Sequence, residues 1–130
     1  MTRRALLILL PLSALTLGAD QRSDILDIVT PLASALSAGD SQAFLGGFDR
    51  KMPGFDDLAG WVTGLLDAYE ITSSVDLFEI KGEDIDLDWS LRLRSRVATG
   101  KSDDRRDVVT IRIGKGKKIT SLRPLEFFKS

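Results

Sequence analysis

The chain has 130 residues, which allows one domain, and 43% of them are apolar, which allows a real core. A formal net charge of -1 provides no bulk field toward nucleic acid. With no cysteine there is no disulfide, thiol nucleophile or thiolate metal site. With no histidine, the commonest general base near neutral pH and the commonest metal ligand are missing.

The chain starts with a short basic stretch, Thr2-Arg3-Arg4, followed by an apolar run over residues 5–17. Gly18 and Ala19 are small, and the chain turns polar at Asp20. This is the layout of a secretory signal peptide, with cleavage expected after Gly18 or Ala19. The apolar run is shorter than the roughly 20 residues that span a bilayer, so export is expected rather than a membrane anchor. Without a cysteine, lipoprotein anchoring is excluded. Arg3-Arg4 is similar to a twin-arginine signal, but the strong apolar run favours the general secretory route. The expected organisation is therefore a leader over 1–19 and one periplasmic or secreted domain over 20–130. Without Arg3 and Arg4 that domain carries 16 basic against 19 acidic groups, a net of -3.

Ser23 is the candidate cap of a first helix, in which Ile25, Ile28, Val29, Leu32 and Leu36 recur on one face. Pro31 either kinks this helix or starts a new one capped by Thr30. Gly39 suits its end, and Asp40 caps a short helix over 41–48 that carries Phe44 and Phe48. Asp56 or Asp57 caps a third helix with Leu58, Trp61, Val62, Leu65, Leu66 and Tyr69 at helical spacing. Gly60 and Gly64 share a face of it. They imply either close packing on another backbone or space for a ligand beside Trp61 and Tyr69.

From Ile71 the period becomes two. A strand over 71–80 carries apolar groups on both faces, which implies a partly covered outer face. A Gly-containing hairpin over 81–84 leads to a long strand over 85–97. There Ile85, Leu87, Trp89, Leu91, Leu93 and Val97 share one parity, and Asp86, Asp88, Ser90, Arg92, Arg94 and Arg96 the other. A one-residue slip would turn every apolar group to water, so the register is strongly specified. A polar loop over 98–105 precedes a third strand over 106–113, with Val109, Ile111 and Ile113 inward. A turn at Gly114-Lys115-Gly116 precedes a last strand over 117–128, in which Pro124 marks an edge or a bulge. Three helices followed by four antiparallel strands is an α+β order.

The chain resembles the nuclear-transport-factor-two-like superfamily, which includes the ketosteroid-isomerase-like and SnoaL-like proteins. The resemblance rests on Pro-Leu-Ala-Ser-Ala-Leu-Ser-Ala-Gly-Asp at 31–40, Ala43-Phe44, Phe48-Asp49 and residues 75–77. It continues through Asp88-Trp89-Ser90-Leu91 and the ending over 119–128. It implies a cone, with three helices packed on a curved four-stranded sheet and a cavity at the open end. Members include enzymes and non-catalytic binding domains, and fold does not choose between them.

The inward face of the long strand offers no ionisable side chain before Ser95. The His–Asp pair and the Tyr with paired Asp of family enzymes have no counterparts that can be placed here. Asp49, Asp67, Tyr69 and Glu70 remain as acid–base candidates, with Asp67 and Glu70 able to share a helix face. Asp84, Asp86, Asp88 and the Asp103-Asp104 pair lack calcium-loop spacing, so neither metal nor cofactor is expected. The function expected is non-catalytic binding of a small apolar ligand, with Phe44, Phe48, Trp61, Tyr69 and Trp89 as the pocket. The alternative is a lyase or isomerase working through a cavity carboxylate. Arg92, Arg94, Arg96 and Arg112 form either an anion or partner patch on the outer sheet face, serving a homodimer or another protein, or a solvated face balanced by Asp76, Asp86 and Asp88. Nucleic acid is not expected as a partner, nor is a membrane once the leader is removed.

Overall fold

A computed structural model describes the backbone of residues 2–130, with side chains from residue 20 onward. Three helices, α1 (Thr2–Ser37), α2 (Ser41–Leu45) and α3 (Phe55–Ala68), precede four strands. These are β1 (Tyr69–Lys81), β2 (Asp84–Ser95), β3 (Asp103–Ile113) and β4 (Ile119–Arg123), paired antiparallel in the order β1-β2-β3-β4.

α1 passes through both expected boundaries. Ser23 is no cap, because the residues before it are helical and their carbonyls already accept its neighbours' N–H groups. Pro31 removes one backbone bond without starting a second helix at Thr30. The expected leader boundary at Ala19 falls among residues whose side chains lie outside those described. The buried stripe of α1 is Ile25, Val29, Leu32, Ala33 and Leu36, close to the predicted face. Asp40 caps α2 by accepting from the Ala43 N–H at 3.0 Å. α2 stops at Leu45, before Phe48, which instead makes a parallel bridge to Ile119. α3 starts from Gly54 at φ 82°, so Asp56 and Asp57 lie in its first turn rather than capping it. There they favour the positive end of the helix dipole.

β2 keeps the predicted alternation, with Ile85, Leu87, Trp89, Leu91 and Leu93 buried. It ends at Ser95, so Val97 is 63% exposed rather than inward. In β1 a bulge lies between Leu77 and Glu79, with Phe78 as the extra residue. The bulge explains the two-faced apolar pattern. Leu77 faces in before it, Ile80 opposite Ile85 faces in after it, and Phe78 is left 62% exposed. The outer face therefore has no cover at that point. The hairpin to β2 needs only Gly82 and Glu83, with Gly82 at φ 62°.

The last strand is shorter than expected. β4 stops at Arg123 because Pro124 has no N–H for the ladder, and Leu125–Phe128 form a 3-10 turn. That turn buries Phe127 and Phe128 together, which adjacent residues of a strand could not do. Phe128 fills the centre of the cone, its ring 5.2 Å from Trp89 and 5.4 Å from Phe44. Trp89 is fully buried, and its Nε1 donates to Ser73 Oγ at 2.8 Å. Replacing Trp89 with Ala removes the central ring of the core and should destabilise the domain by about 3–5 kcal/mol in urea unfolding. A loss below about 1 kcal/mol would contradict this packing.

Candidate functional site

A concave surface walled by four isoleucines lies where α1, the β1–β2 hairpin and the β3–β4 end meet. It is a cleft of about 500 Å³. Ile25 and Ile28 come from α1, Ile85 from β2 and Ile113 from β3. Gln21, Asp24, Glu83, Arg112 and Thr120 supply the polar part of the lining. Local periodicity sets each isoleucine's face within its own element. Ile25 and Ile28 are one turn apart on α1, and Ile85 pairs with Ile111, two residues before Ile113 on the same face.

Arg112 at this rim is paired. Arg112 Nε donates to Asp84 Oδ1 at 2.7 Å and its Nη1 to Glu83 Oε2 at 3.2 Å. The bond from Arg112 holds the Asp84 carboxyl below the usual carboxylate range. Such a group is a poor proton acceptor near neutral pH.

The five predicted pocket aromatics do not come together as one wall. Phe44, Phe48 and Trp89 are buried with Phe128, with Phe44 and Phe48 rings 5.0 Å apart. Trp61 lies on α3 beneath Lys129, whose Nζ is 5.9 Å from the ring centroid. Tyr69 begins β1 opposite Ser95. The interior that these rings were expected to line is occupied by the Leu125–Phe128 turn. Arg105 anchors that turn, its Nη1 donating to the carbonyls of Phe127 at 3.0 Å and Lys129 at 2.7 Å. Gly64 packs against Ser130, whereas nothing approaches Gly60, so the glycine pair serves neither a helix contact nor a ligand space as a unit.

The acid–base candidates are dispersed. Asp49 accepts from the Lys51 N–H at 2.8 Å. Asp67 is exposed on α3, but the helix ends at Ala68 and Glu70 belongs to β1, so the two share no helix face. Glu70 instead accepts from Arg94 Nη2 at 2.7 Å. Among the described residues, no polar or charged side chain is buried and no group of acidic residues could hold a metal ion.

The arginine row is broken as well. Arg92 lies 3.4 Å from Asp104 and Arg94 pairs with Glu70. Arg112 sits at the opposite end of the sheet with Asp84. Arg96 lies beyond β2, and its Nε donates to the Leu66 carbonyl at the end of α3. The outer face is a ladder of alternating charge, in which Arg106 grips Asp88 through two bonds of 3.0 and 2.7 Å and Thr110 bonds Asp86. This is the solvated, balanced arrangement, with Arg106 in the role expected of the longer row.

Solved structures share this arrangement. A Mycobacterium tuberculosis protein in complex with estradiol-17beta-hemisuccinate has a TM-score of 0.61 at 17% identity, over 76% of this chain and 90% of that one. Delta 5-3-ketosteroid isomerase from Mycobacterium sp. has a TM-score of 0.60 at 14% identity, over 76% and 89%. The fold is the nuclear-transport-factor-two-like cone. An NTF2-like protein from Exiguobacterium sp. 255-15 agrees, with a TM-score of 0.59 at 16% identity over 73% and 93%. No protein-family model matches the chain, and no curated protein matches it in sequence. At these identities the likeness establishes the cone and its layers.

Acid stability follows from the rim and the ladder. Asp84 and Asp88 are both held below the usual carboxylate range, first by hydrogen bonds from Arg112 and Arg106. Their contribution to stability is complete above the unfolded carboxylate value of about 3.9, and is lost as pH falls through the lower folded values. Stability should therefore hold steady from neutrality to about pH 5 and drop below about pH 4 in chemical unfolding, with a smaller drop in Arg106→Gln.

Proposed function

We propose that this is an exported, non-catalytic cone domain that binds a small, largely apolar ligand in the cleft walled by Ile25, Ile28, Ile85 and Ile113. One observation carries the reading: the cone interior is filled by aromatic side chains, while this rim cleft keeps an open apolar wall. Apolar concavity with a few polar groups at its edge suits a ligand that is mostly hydrocarbon with a polar end. The M. tuberculosis protein of the same fold is in complex with a steroid hemisuccinate, which is such a molecule.

The isomerase alternative draws on the Mycobacterium sp. enzyme of the same fold. It needs a carboxylate raised toward neutrality by burial. Asp84, which bonds Arg112 beside this cleft, is shifted the other way. That supports binding rather than proton transfer. Export rests on the basic start, the apolar run over 5–17 and the small residues at 18 and 19.

Titration with estradiol hemisuccinate, followed by calorimetry, should show saturable binding that Ile28→Arg abolishes while the protein stays folded. Ile28 is only half-buried, so the change blocks the cleft without opening the core. Undiminished binding in Ile28→Arg, or catalytic isomerisation of a Δ5-3-ketosteroid, would overturn this reading. Mass spectrometry of the exported fraction should find a first residue of Ala19 or Asp20. A soluble cytoplasmic form that retains Met1 would refute export.

A further inference from the structure

Phe48 and Ile119 pair in an isolated bridge, joining loop 46–51 to turn 114–118. The Ile119 N–H donates to the Gly47 carbonyl at 2.9 Å, and the Asp49 N–H donates to the Ile119 carbonyl at 2.8 Å. Lys118 Nζ also donates to the Gly46 carbonyl. A groove of about 760 Å³ lies along this junction, with Leu45 and Phe48 on its apolar side and Arg50, Lys51 and Lys118 on its charged side. Lys115 and Lys117 stand in the same turn as Lys118.

The charge here differs from that of the sheet. Arg92, Arg94, Arg106 and Arg112 each have a carboxylate within 4 Å. Among the described residues, none of Arg50, Lys51, Lys115, Lys117 and Lys118 is in an ion pair. Asp49 is the one acid lining the groove, and it already accepts from the Lys51 N–H. Arg50 also borders a depression lined by Asp56 and Asp57, and Lys118 Nζ is shared with the Gly46 carbonyl, so Lys51 is the cation most free to act. Residues 20–130 carry a net of -3, so this local excess of cations is set against an otherwise acidic domain.

We propose that this groove binds a phosphate-bearing ligand, with the phosphate between Lys51, Lys118 and Arg50 and an adjoining apolar part against Leu45 and Phe48. A phosphate, as monoester or diester, offers its anionic oxygens to several unpaired cations at once, and lysine serves phosphate as a mobile point charge. The lining shares no residue with the isoleucine cleft, so the two sites are independent.

The test uses glycerol 3-phosphate in calorimetry and, separately, vesicles of phosphatidylglycerol against vesicles of phosphatidylcholine alone. Binding of the soluble phosphate, of the phosphatidylglycerol vesicles or of both supports the site and identifies the source of the phosphate. In either case the binding should weaken with added salt. It should also fall roughly tenfold or more in Arg50→Glu/Lys51→Glu and persist in Ile28→Arg and in Lys101→Glu. Lys118→Gln, which removes the charge at an exposed turn, should reduce binding without loss of fold. Failure of both probes at low salt would overturn the proposal. So would an equal loss in Lys101→Glu, which would mean that bulk charge rather than the groove does the binding.

Discussion

Trp89 brings a large ring and one N–H donor into a core with no other buried polar side chain among the described residues. An unpaired indole N–H there would cost on the order of 1–3 kcal/mol. The structure satisfies it with Ser73 Oγ, at an inward position of β1. The Ser73 N–H in turn donates to Ser37 Oγ at 2.9 Å, at the end of α1. The indole N–H thus ties β2 to β1, and the Ser73 N–H ties β1 to α1. The inner register depends on the indole bond, because a slip of one residue would leave the indole unpaired and turn Ile85, Leu87, Leu91 and Leu93 outward as well.

Filling the cone is the second consequence. Trp89, Phe44 and Phe128 meet edge to face or tilted, with centroids 5.2 to 6.3 Å apart. Such geometry adds to area burial and leaves little interior volume. Arg105 occupies an inward position of β3, opposite Leu91, where an apolar residue would be expected. It lies there because the Leu125–Phe128 turn presents carbonyls to it, and a guanidinium can bind two of them at once. Recognition chemistry is thereby pushed from the interior to the rim.

The strand core was legible because alternation over β2 is long and unbroken, and its partners on β3 repeat it at Val109 and Ile111. The bulge at Phe78 was legible only as a contradiction, apolar residues of both parities in one strand. A bulge, like a covered face, produces that contradiction. The Phe127-Phe128 pair misled for a similar reason, since Pro124 signals the end of a ladder without specifying the backbone conformation after it. Arg96 continues the parity of Arg92 and Arg94, but parity has no meaning beyond the last paired residue, Ser95. Phe44, Phe48 and Trp89 lie in the core, because aromatic residues at core spacing fill a cone as readily as they line one. The isoleucine cleft could have been found from Ile25, Ile28, Ile85 and Ile113 only with the α1-to-hairpin packing already known.

The distribution of charge separates what stabilises this protein from what is free to recognise something else. On the sheet each guanidinium is spent on a neighbouring carboxylate, and exposed pairs of this kind contribute little beyond orienting the strands. At the isoleucine cleft Arg112 is held by Asp84 and Glu83, so an anionic ligand end would have to compete with both. At loop 46–51 and turn 114–118 Asp49 lines the groove but, among the described residues, none of these lysines is in an ion pair, and the backbone bonds through Ile119 hold the two segments together without using the lysine side chains of 51, 115 or 117. Rigid backbone with unpaired cations keeps the loss of chain entropy on binding small, which is the condition under which weak single charges add up to a site.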